Sequence, residues 1–138
     1  MGKRILVPID GSPQSASTLA FVVDEWPDAE VVLLHVIDPR ESGSSRMVTP
    51  SGSEEWYQNA QAHAEEAFDD ARDRFDRDFD AVTQVGSPAK TIVSVASEGE
   101  YDHVVVGSHG RTGVSRIILG SVAETVVRRS PVPVTVVR

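Results

Sequence analysis

The sequence VVVGSHGRTGVSRIILGSVAE, residues 104–124, contains the features that decide the fold. An apolar run ends at Gly107, a glycine-rich turn follows, and Gly120 and Ser121 open a helical segment. A strand, a glycine turn and a helix N-terminus expose backbone N–H groups and the positive end of the helix dipole, with no side chain in the way. The stretch therefore predicts a site where the backbone holds a phosphate.

Apolar strands alternate with amphipathic helices along the rest of the chain. Serine precedes proline at Ser12–Pro13 and at Ser87–Pro88, which places serine at an N-cap and proline in the first helical turn. The continuous apolar runs are typical of parallel strands that are covered on both faces. This alternation predicts one α/β domain, residues 1–138, built as a three-layer sandwich. The predicted strands are 4–9, 30–37, 79–85, 101–106 and 132–137, and the predicted helices are 13–26, 54–75, 88–98 and 121–129.

Each predicted helix has one apolar face that should turn toward the sheet. Residues 38–53, rich in serine, glycine and proline, are expected to form a loop without regular structure, either a lid or a disordered segment. The residues expected to face inward are Ala16, Leu19, Ala20 and Val23 in the first helix, Ala60, Ala64, Ala67, Phe68 and Ala71 in the second, and Ile92, Val95 and Ala96 in the third.

Composition excludes several classes of protein. The chain has no cysteine, which rules out disulfides and thiol chemistry, and no apolar run approaches the roughly 18 residues of a membrane span. A net charge of −8 argues against nucleic-acid binding, which needs a basic face. The N-terminus resembles no signal peptide, so we expect a cytoplasmic protein without a membrane partner.

The acidic residues are accompanied by few lysines. Only Lys3 and Lys90 occur among the 13 basic residues, and the other basic residues are arginines. An acidic, lysine-poor surface suits a high-salt cytoplasm, where salt screens the repulsion between like charges. We expect a halophilic source; an ordinary acidic protein from a GC-rich genome is the alternative.

Several local features reinforce the phosphate site. Ser121 and Glu124 have the spacing of a capping box, and Gly120 would allow a ligand to approach the backbone closely. A single Gly-x-x-Gly would be explained by a tight turn alone. Here four glycines and a serine fall within fifteen positions at the end of a strand, which favours a binding site instead. These residues are Gly107, Gly110, Gly113, Gly120 and Ser121.

The spacing Gly107-x2-Gly110-x9-Gly120-Ser121 resembles the nucleotide-binding signature of the universal stress protein family, in its ATP-binding subgroup. The segments ILVPIDGS, LLHVID, GSHGRTG, LGSVAE and SPVPVTVVR extend the resemblance to nearly the whole chain. It implies a Rossmann-type fold of the adenine nucleotide alpha hydrolase kind, with a five-stranded parallel sheet of order 3-2-1-4-5. In that order a crevice opens between the first and fourth strands at their carboxyl ends.

The resemblance also implies the ligand and its contacts. The ligand would be ATP, or ADP or AMP, with Mg²⁺ held by the phosphates and water rather than by protein side chains. Asp10 and Val36 would hold the adenosine, while the glycine loop and the start of the last helix would wrap the phosphates and ribose. The implied nucleotide-binding residues are Pro8, Ile9, Asp10, Val36, Gly107, Ser108, His109, Gly110, Arg111, Thr112, Gly113, Gly120, Ser121 and Val122.

Some of these residues have a plain structural alternative. Asp10 could be a turn residue, because Asp-Gly commonly ends a strand. Arg111 is a better phosphate partner than His109, because arginine is always charged, and either could be loop surface. His35 inside an apolar strand is expected to be structural, His63 to belong to a solvated helix, and His103 to lie far from the crevice. No pair of histidines has metal-ligand spacing.

The sequence motivates binding better than catalysis. There is no P-loop lysine, no dinucleotide fingerprint after the first strand and no nucleophile elbow. We expect a nucleotide-dependent switch or adaptor in the stress response, in which ATP would order the 38–53 loop for an unknown protein partner. The alternative is a slow ATPase or autophosphorylating enzyme with Ser108, Ser121 or a loop serine as acceptor. A phosphoacceptor receiver domain is disfavoured because Asp10 stands alone and no lysine follows Lys90.

The final strand, residues 132–137, would lie at the edge of the sheet. An exposed apolar edge invites pairing, although Pro131 and Pro133 could protect it by removing hydrogen-bond donors. In the family this strand commonly pairs with its copy across a two-fold axis. The resemblance therefore implies a homodimer through residues 132–137.

Overall fold

A computed structural model of the chain describes residues 2–42, 50–108 and 119–138. Strands and helices alternate, with a short 3₁₀ helix, Pro39–Ser42, after the second strand. The strands are β1 (Arg4–Pro8), β2 (Glu30–Ile37), β3 (Asp80–Val85), β4 (His103–Gly107) and β5 (Val134–Val137). The helices are α1 (Pro13–Glu25), α2 (Pro50–Phe75), α3 (Pro88–Glu98) and α4 (Ser121–Arg129).

The five strands form one parallel sheet in the order β3-β2-β1-β4-β5, which confirms the predicted fold. β1 lies at the centre, with β2 on one side and β4 on the other. Because the connections from β1 to β2 and from β3 to β4 run in opposite directions along the sheet, a crevice opens at the carboxyl ends of β1 and β4.

Side-chain alternation along the strands divides the core into two layers. Ile5 and Val7 point to the face covered by α1 and α2, where Phe68 is 1% exposed. Leu6 points to the opposite face, against α3 and α4, where Val126 is fully buried. Strands buried on both faces are what a parallel sheet requires, and the continuous apolar runs predicted them.

Helix boundaries agree closely with the sequence signals. Ser12 is the N-cap of α1, and its Oγ accepts a hydrogen bond of 3.2 Å from the Ser15 N–H. Pro13 occupies the first helical turn, and the helix ends at Trp26 as predicted. Ser87 is likewise the N-cap of α3, although no hydrogen bond to its side chain is made there.

Two details of the prediction are wrong. α1 buries Thr18, Leu19 and Val22, whereas Ala20 is exposed. Thr18 is tolerated inside because its Oγ1 donates to the Gln14 carbonyl at 2.9 Å, which satisfies the hydroxyl. α2 begins at Pro50 rather than four residues later, which shortens the expected loop, and residues 43–49 of that loop lie outside the described part of the chain.

His103 joins the edge strand to the rest of the sheet. Its Nε2 lies 2.7 Å from Thr135 Oγ1, and its ring packs 5.2 Å from the Trp26 ring. Burial of the ring lowers the pKa of His103, and the nearby Lys3 charge lowers it further. The fold therefore favours the neutral imidazole, which ties β5 to β4 without carrying charge.

This lowered pKa predicts a loss of stability on mild acidification. In the unfolded chain His103 takes up its proton near its ordinary pKa of 6.5, whereas in the folded chain it does so only at lower pH. The free energy of unfolding should hence decline as the pH falls below about 6.5. Urea unfolding at pH 7.5 and pH 5.5 measures the decline.

The matched variant is His103→Gln, which keeps a polar group beside Thr135 but cannot titrate. Its stability should fall less between the two pH values than that of the parent, because the remaining carboxylates are common to both proteins. An equal decline in the two proteins would contradict this role for His103.

Candidate functional site

A cavity of about 1060 Å³ opens at the carboxyl ends of β1, β2 and β4. Its volume slightly exceeds the usual range of small-molecule sites, roughly 300–1,000 Å³. Nine of the fourteen residues predicted for the site lie in its wall: Pro8, Ile9, Asp10, Val36, Gly107, Ser108, Gly120, Ser121 and Val122. The other five, His109, Gly110, Arg111, Thr112 and Gly113, lie outside the described residues.

Asp10 is fixed where β1 gives way to α1. Its Oδ1 accepts hydrogen bonds from the Ser12 N–H at 2.9 Å and from Ser15 Oγ at 2.7 Å. The Asp10 N–H in turn donates to Ser15 Oγ at 2.9 Å. Gly11 follows with a φ of 80°, a left-handed conformation that favours glycine. Asp10 is therefore a turn residue, which was the structural alternative to ligand contact. It also lines the cavity.

Val36 presents its backbone to the cavity. In a parallel sheet both backbone groups of a residue point to the same neighbouring strand, and the direction alternates along the chain. The Leu34 carbonyl accepts from the Ile9 N–H on the β1 side, while the Ile37 carbonyl accepts from Gly86 on the β3 side. The backbone groups of Val36 therefore point toward the β1 side of β2. At this level β1 has already ended, because its last residue, Pro8, lies opposite Leu34. The Val36 N–H and C=O face the crevice.

The N-terminus of α4 closes the other side of the cavity. Gly120 is the N-cap and makes no side-chain hydrogen bond, and the backbone bonds of the helix begin with Glu124 N–H to the Gly120 carbonyl at 3.0 Å. The N–H groups of Ser121, Val122 and Ala123 thus precede the first intrahelical bond. All three residues line the cavity, which makes this end of the helix suited to an anion.

The predicted capping box is wrong. Ser121 is the first residue of the helix rather than its N-cap. The Gly120 N–H donates to the Ser108 carbonyl at 2.7 Å, and the Glu124 carboxylate lies 3.9 Å from Arg128 on the next turn. Because the cap is a glycine, it has no side chain that could accept hydrogen bonds from the first-turn N–H groups.

Gly107 is required for packing within the protein. A Cβ at this position would lie 2.9 Å from Gln14 Cγ and 3.0 Å from Thr18 Oγ1, both on α1. Thr18 is 1% exposed and cannot move aside easily. Gly107 was predicted as a nucleotide-binding residue, and it does line the cavity. The described structure adds a packing role, because the glycine lets α1 approach β4 closely.

Several residues in the cavity wall were not predicted. His35 was expected to be structural, and its Nδ1 does lie 3.0 Å from the Ile9 carbonyl, but the residue also lines the cavity. His63, assigned to a solvated helix, lies in the wall as well. His103, at the opposite end of β4, does not. The α2 residues in the wall are Trp56, Asn59, Ala60, His63, Glu66, Ala67 and Asp70. The helical spacing of Trp56, Ala60 and Ala67 marks this face of α2 in the sequence, but the same spacing is typical of an ordinary core stripe.

Asp38 follows β2 at the rim of the cavity and is 6% exposed. Its carboxylate forms an ion pair with Arg40, 2.9 Å from Oδ2 to Nη2, and accepts the Arg40 backbone N–H at 3.0 Å. These hydrogen bonds lower the pKa of Asp38, so the carboxylate stays ionised. Among the described residues no group of three or more His, Cys, Asp or Glu side chains is arranged to hold a metal ion.

The fold defines an α/β protein of the Rossmann-like, nucleotide-binding fold type, with a cavity at the topological switch point of the sheet. The sequence profile of the universal stress protein family matches residues 1–138. The chain belongs to the universal stress protein family. Within the described ranges, no helix combines the length and apolarity needed to cross a membrane.

Known relatives agree with this assignment. Universal stress protein MJ0577 of Methanocaldococcus jannaschii is 32% identical, with 100% of this chain and 96% of the relative aligned. A solved structure of MJ0577 superposes with a TM-score of 0.83 and covers 99% of this chain and 96% of that one.

Two more distant structures share the fold and hold a ligand. A universal stress protein solved in complex with cAMP is 24% identical, with a TM-score of 0.65 and coverage of 99% and 97%. A family protein from Arabidopsis thaliana with AMP bound is 16% identical, with a TM-score of 0.68 and coverage of 98% and 90%.

The packing role of Gly107 can be tested by its coupling to Gln14. Gly107→Val should lower the free energy of unfolding by about 2 kcal/mol, because the branched side chain overpacks the contact between β4 and α1. Adding Gln14→Ala should recover part of this loss by removing the nearest atoms, and Gln14→Ala alone is the control. Urea denaturation of the four proteins measures the coupling. Strictly additive effects would contradict the contact.

Proposed function

We propose that this protein binds ATP, or a related adenine nucleotide, in the crevice and acts as a nucleotide-dependent switch or adaptor in the stress response. One observation carries the proposal: the two halves of the predicted site, 98 residues apart from Asp10 to Ser108, line the same cavity. One half offers backbone N–H groups to an anion, and the other offers groups that suit a nucleoside.

The phosphate end is at α4. The N–H groups of Ser121, Val122 and Ala123 are preorganised by the helix, whose dipole adds positive potential at that end. The resemblance adds the loop after Ser108, whose Arg111 would bind phosphate oxygens through two hydrogen bonds. Mg²⁺ would accompany the phosphates through water, because the Asp38 carboxylate at the rim is already paired with Arg40.

The adenosine end is at β1 and β2. The Val36 N–H and C=O together supply one donor and one acceptor, which is what an adenine edge needs for its ring nitrogen and its amino group. The Asp10 carboxylate is held at the same rim by Ser12 and Ser15, where it can accept a hydrogen bond from a ribose hydroxyl. The cAMP and AMP complexes of distant family members support an adenine nucleotide as the ligand.

The strand ends that border the described cavity favour binding over turnover. A catalytic base must reach the group from which it takes a proton, and the three candidates at the ends of β1 and β2 have structural partners. Asp10 bonds to Ser12 and Ser15, Asp38 pairs with Arg40, and His35 lies against the Ile9 carbonyl. Incubation with γ-labelled ATP and Mg²⁺ separates a binder from a slow ATPase or an autophosphorylating enzyme, because a binder gives neither free phosphate nor labelled protein.

The edge strand supports a homodimer through residues 132–137. The Pro133 carbonyl accepts from Val104 of β4, and the Val137 carbonyl accepts from Ser108, which follows β4. Alternation therefore turns the backbone groups of Val134 and Val136 to the free edge. The backbone nitrogen of Pro133 points to the β4 side. The N–H groups of Val134 and Val136 at the edge are therefore retained, and Pro133 does not remove a donor from that edge.

Gly120→Val should abolish nucleotide binding without unfolding the protein. Gly120 has φ −68° and ψ 158°, angles that valine adopts easily, while its new side chain would occupy the approach to the first-turn N–H groups. Titration calorimetry with ATP measures the affinity, and thermal unfolding checks the fold. Val127→Ala, at an exposed position on the same helix, is the matched control and should bind normally. ATP affinity within about threefold of the parent would show that the site lies elsewhere.

Val136→Pro should convert the dimer to a monomer, because it removes an N–H that points to the free edge while leaving the pairing of β5 with β4 intact. Val136→Ala keeps that N–H and should remain dimeric. Sedimentation velocity measures the mass of each protein. A parent protein that sediments as a monomer, or a proline variant that stays dimeric, would contradict pairing through β5.

A further inference from the structure

We propose that Trp56 is the stacking surface for the nucleobase, and that α2 is the wall that lets the site distinguish nucleotides from simple phosphates. The proposal rests on the proposed function, nucleotide binding in the crevice. It assigns a part in recognition to a helix that the sequence motifs did not include.

The burial pattern of α2 shows that its inward face extends beyond the core. The helix contributes Ala64, Phe68 and Ala71 to the core. Within residues 54–63, N-terminal to Ala64, every side chain is exposed except those of Trp56 and Ala60, which are half-buried. Their spacing of four places them on one stripe with Ala64. The inward face of α2 therefore continues beyond the core and lines the cavity.

The position of α2 along the sheet places Trp56 beyond the end of β1. The Ala67 Cβ lies 3.8 Å from where a Cβ on Gly11 would stand, so this part of the helix is level with the end of β1. At a rise of 1.5 Å per residue, Trp56 lies about 16 Å further toward the helix N-terminus. The crossover from β2 to β3 makes α2 antiparallel to the strands. Its N-terminal half consequently overhangs the carboxyl edge of the sheet.

Comparison with the second tryptophan shows that Trp56 has no aromatic partner among the described residues. Trp26 packs edge-on against Phe21 at 6.0 Å and against His103 at 5.2 Å. In the part of the chain that the structure describes, none of the aromatic ring contacts includes Trp56. An indole on a cavity wall offers a large flat apolar surface that a planar base can cover.

The charges along α2 orient the ligand. Glu66 and Asp70 line the cavity two or more turns after Trp56, and their carboxylates repel phosphate. The phosphates are accordingly directed to the N-terminus of α4, and the base to the part of the wall that has no carboxylate. Trp56 lies on that part of the wall, where its indole can cover the face of the base.

Intrinsic fluorescence tests the stacking, because each tryptophan can be observed alone. In the Trp26→Phe variant the emission comes from Trp56 and should be quenched saturably by ATP but not by inorganic tripolyphosphate. In the Trp56→Phe variant the emission comes from Trp26 and should not change with ATP. Quenching of Trp26 alone, or equal quenching of Trp56 by tripolyphosphate, would overturn the assignment.

Affinity provides the second readout. Trp56→Ala should weaken ATP binding about tenfold by calorimetry and leave tripolyphosphate binding unchanged, whereas Trp56→Phe should retain most of the ATP affinity. Tyr57→Ala, the exposed neighbour that does not line the cavity, is the matched control. If the parent binds ATP and Trp56→Ala binds it equally well, the stacking role is wrong and the proposed function stands. If the parent binds no nucleotide, both are wrong.

Discussion

The early end of β1 is the constraint on which the site depends. β1 stops at Pro8, opposite Leu34, while β2 continues for three more residues to Ile37. Hydrogen bonding between the two strands ends with the Ile9 N–H, so the sheet is left with a gap between β2 and β4. The Val36 peptide groups face this gap, the turn at Asp10 borders it, and α4 starts across it. A longer central strand would fill the crevice and pair with Val36.

The electrostatic design of the cavity relies on the backbone. Its described wall carries the carboxylates of Asp10, Asp38, Glu66 and Asp70. No lysine or arginine occurs among the described residues that line the cavity. Attraction for an anion in this part of the chain comes from the N–H groups and dipole of α4, which need no titratable group. Glu66 and Asp70 belong to α2, which covers the opposite face of the sheet from α4. The arrangement suits a ligand with one anionic end and one neutral end.

Sequence signals predicted the elements well where a local motif determines the structure. Ser12–Pro13 placed the start of α1, and the strand order followed from the family resemblance. Features set by tertiary packing were missed. The rotation of α1 about its axis buries Val22 instead of Ala20. A glycine is needed at position 107 because of contacts with residues of α1 that are 89 or more positions away in the sequence. The wall formed by α2 could not be separated from an ordinary core stripe, because both have helical spacing. A halophilic source and a cytoplasmic location stay predictions.

One carbonyl connects the cavity to the edge of the sheet. The Val137 oxygen accepts the Ser108 N–H at 2.8 Å and the Gln14 Nε2 at 3.2 Å, and both of these residues line the cavity. Any ligand that moves Ser108 or Gln14 must also pull on the last residue of β5. If two chains pair through β5, ligand affinity and chain association become thermodynamically linked, and each must change the other by the same factor. Occupancy would then respond to the amount of protein in the cell as well as to the amount of nucleotide.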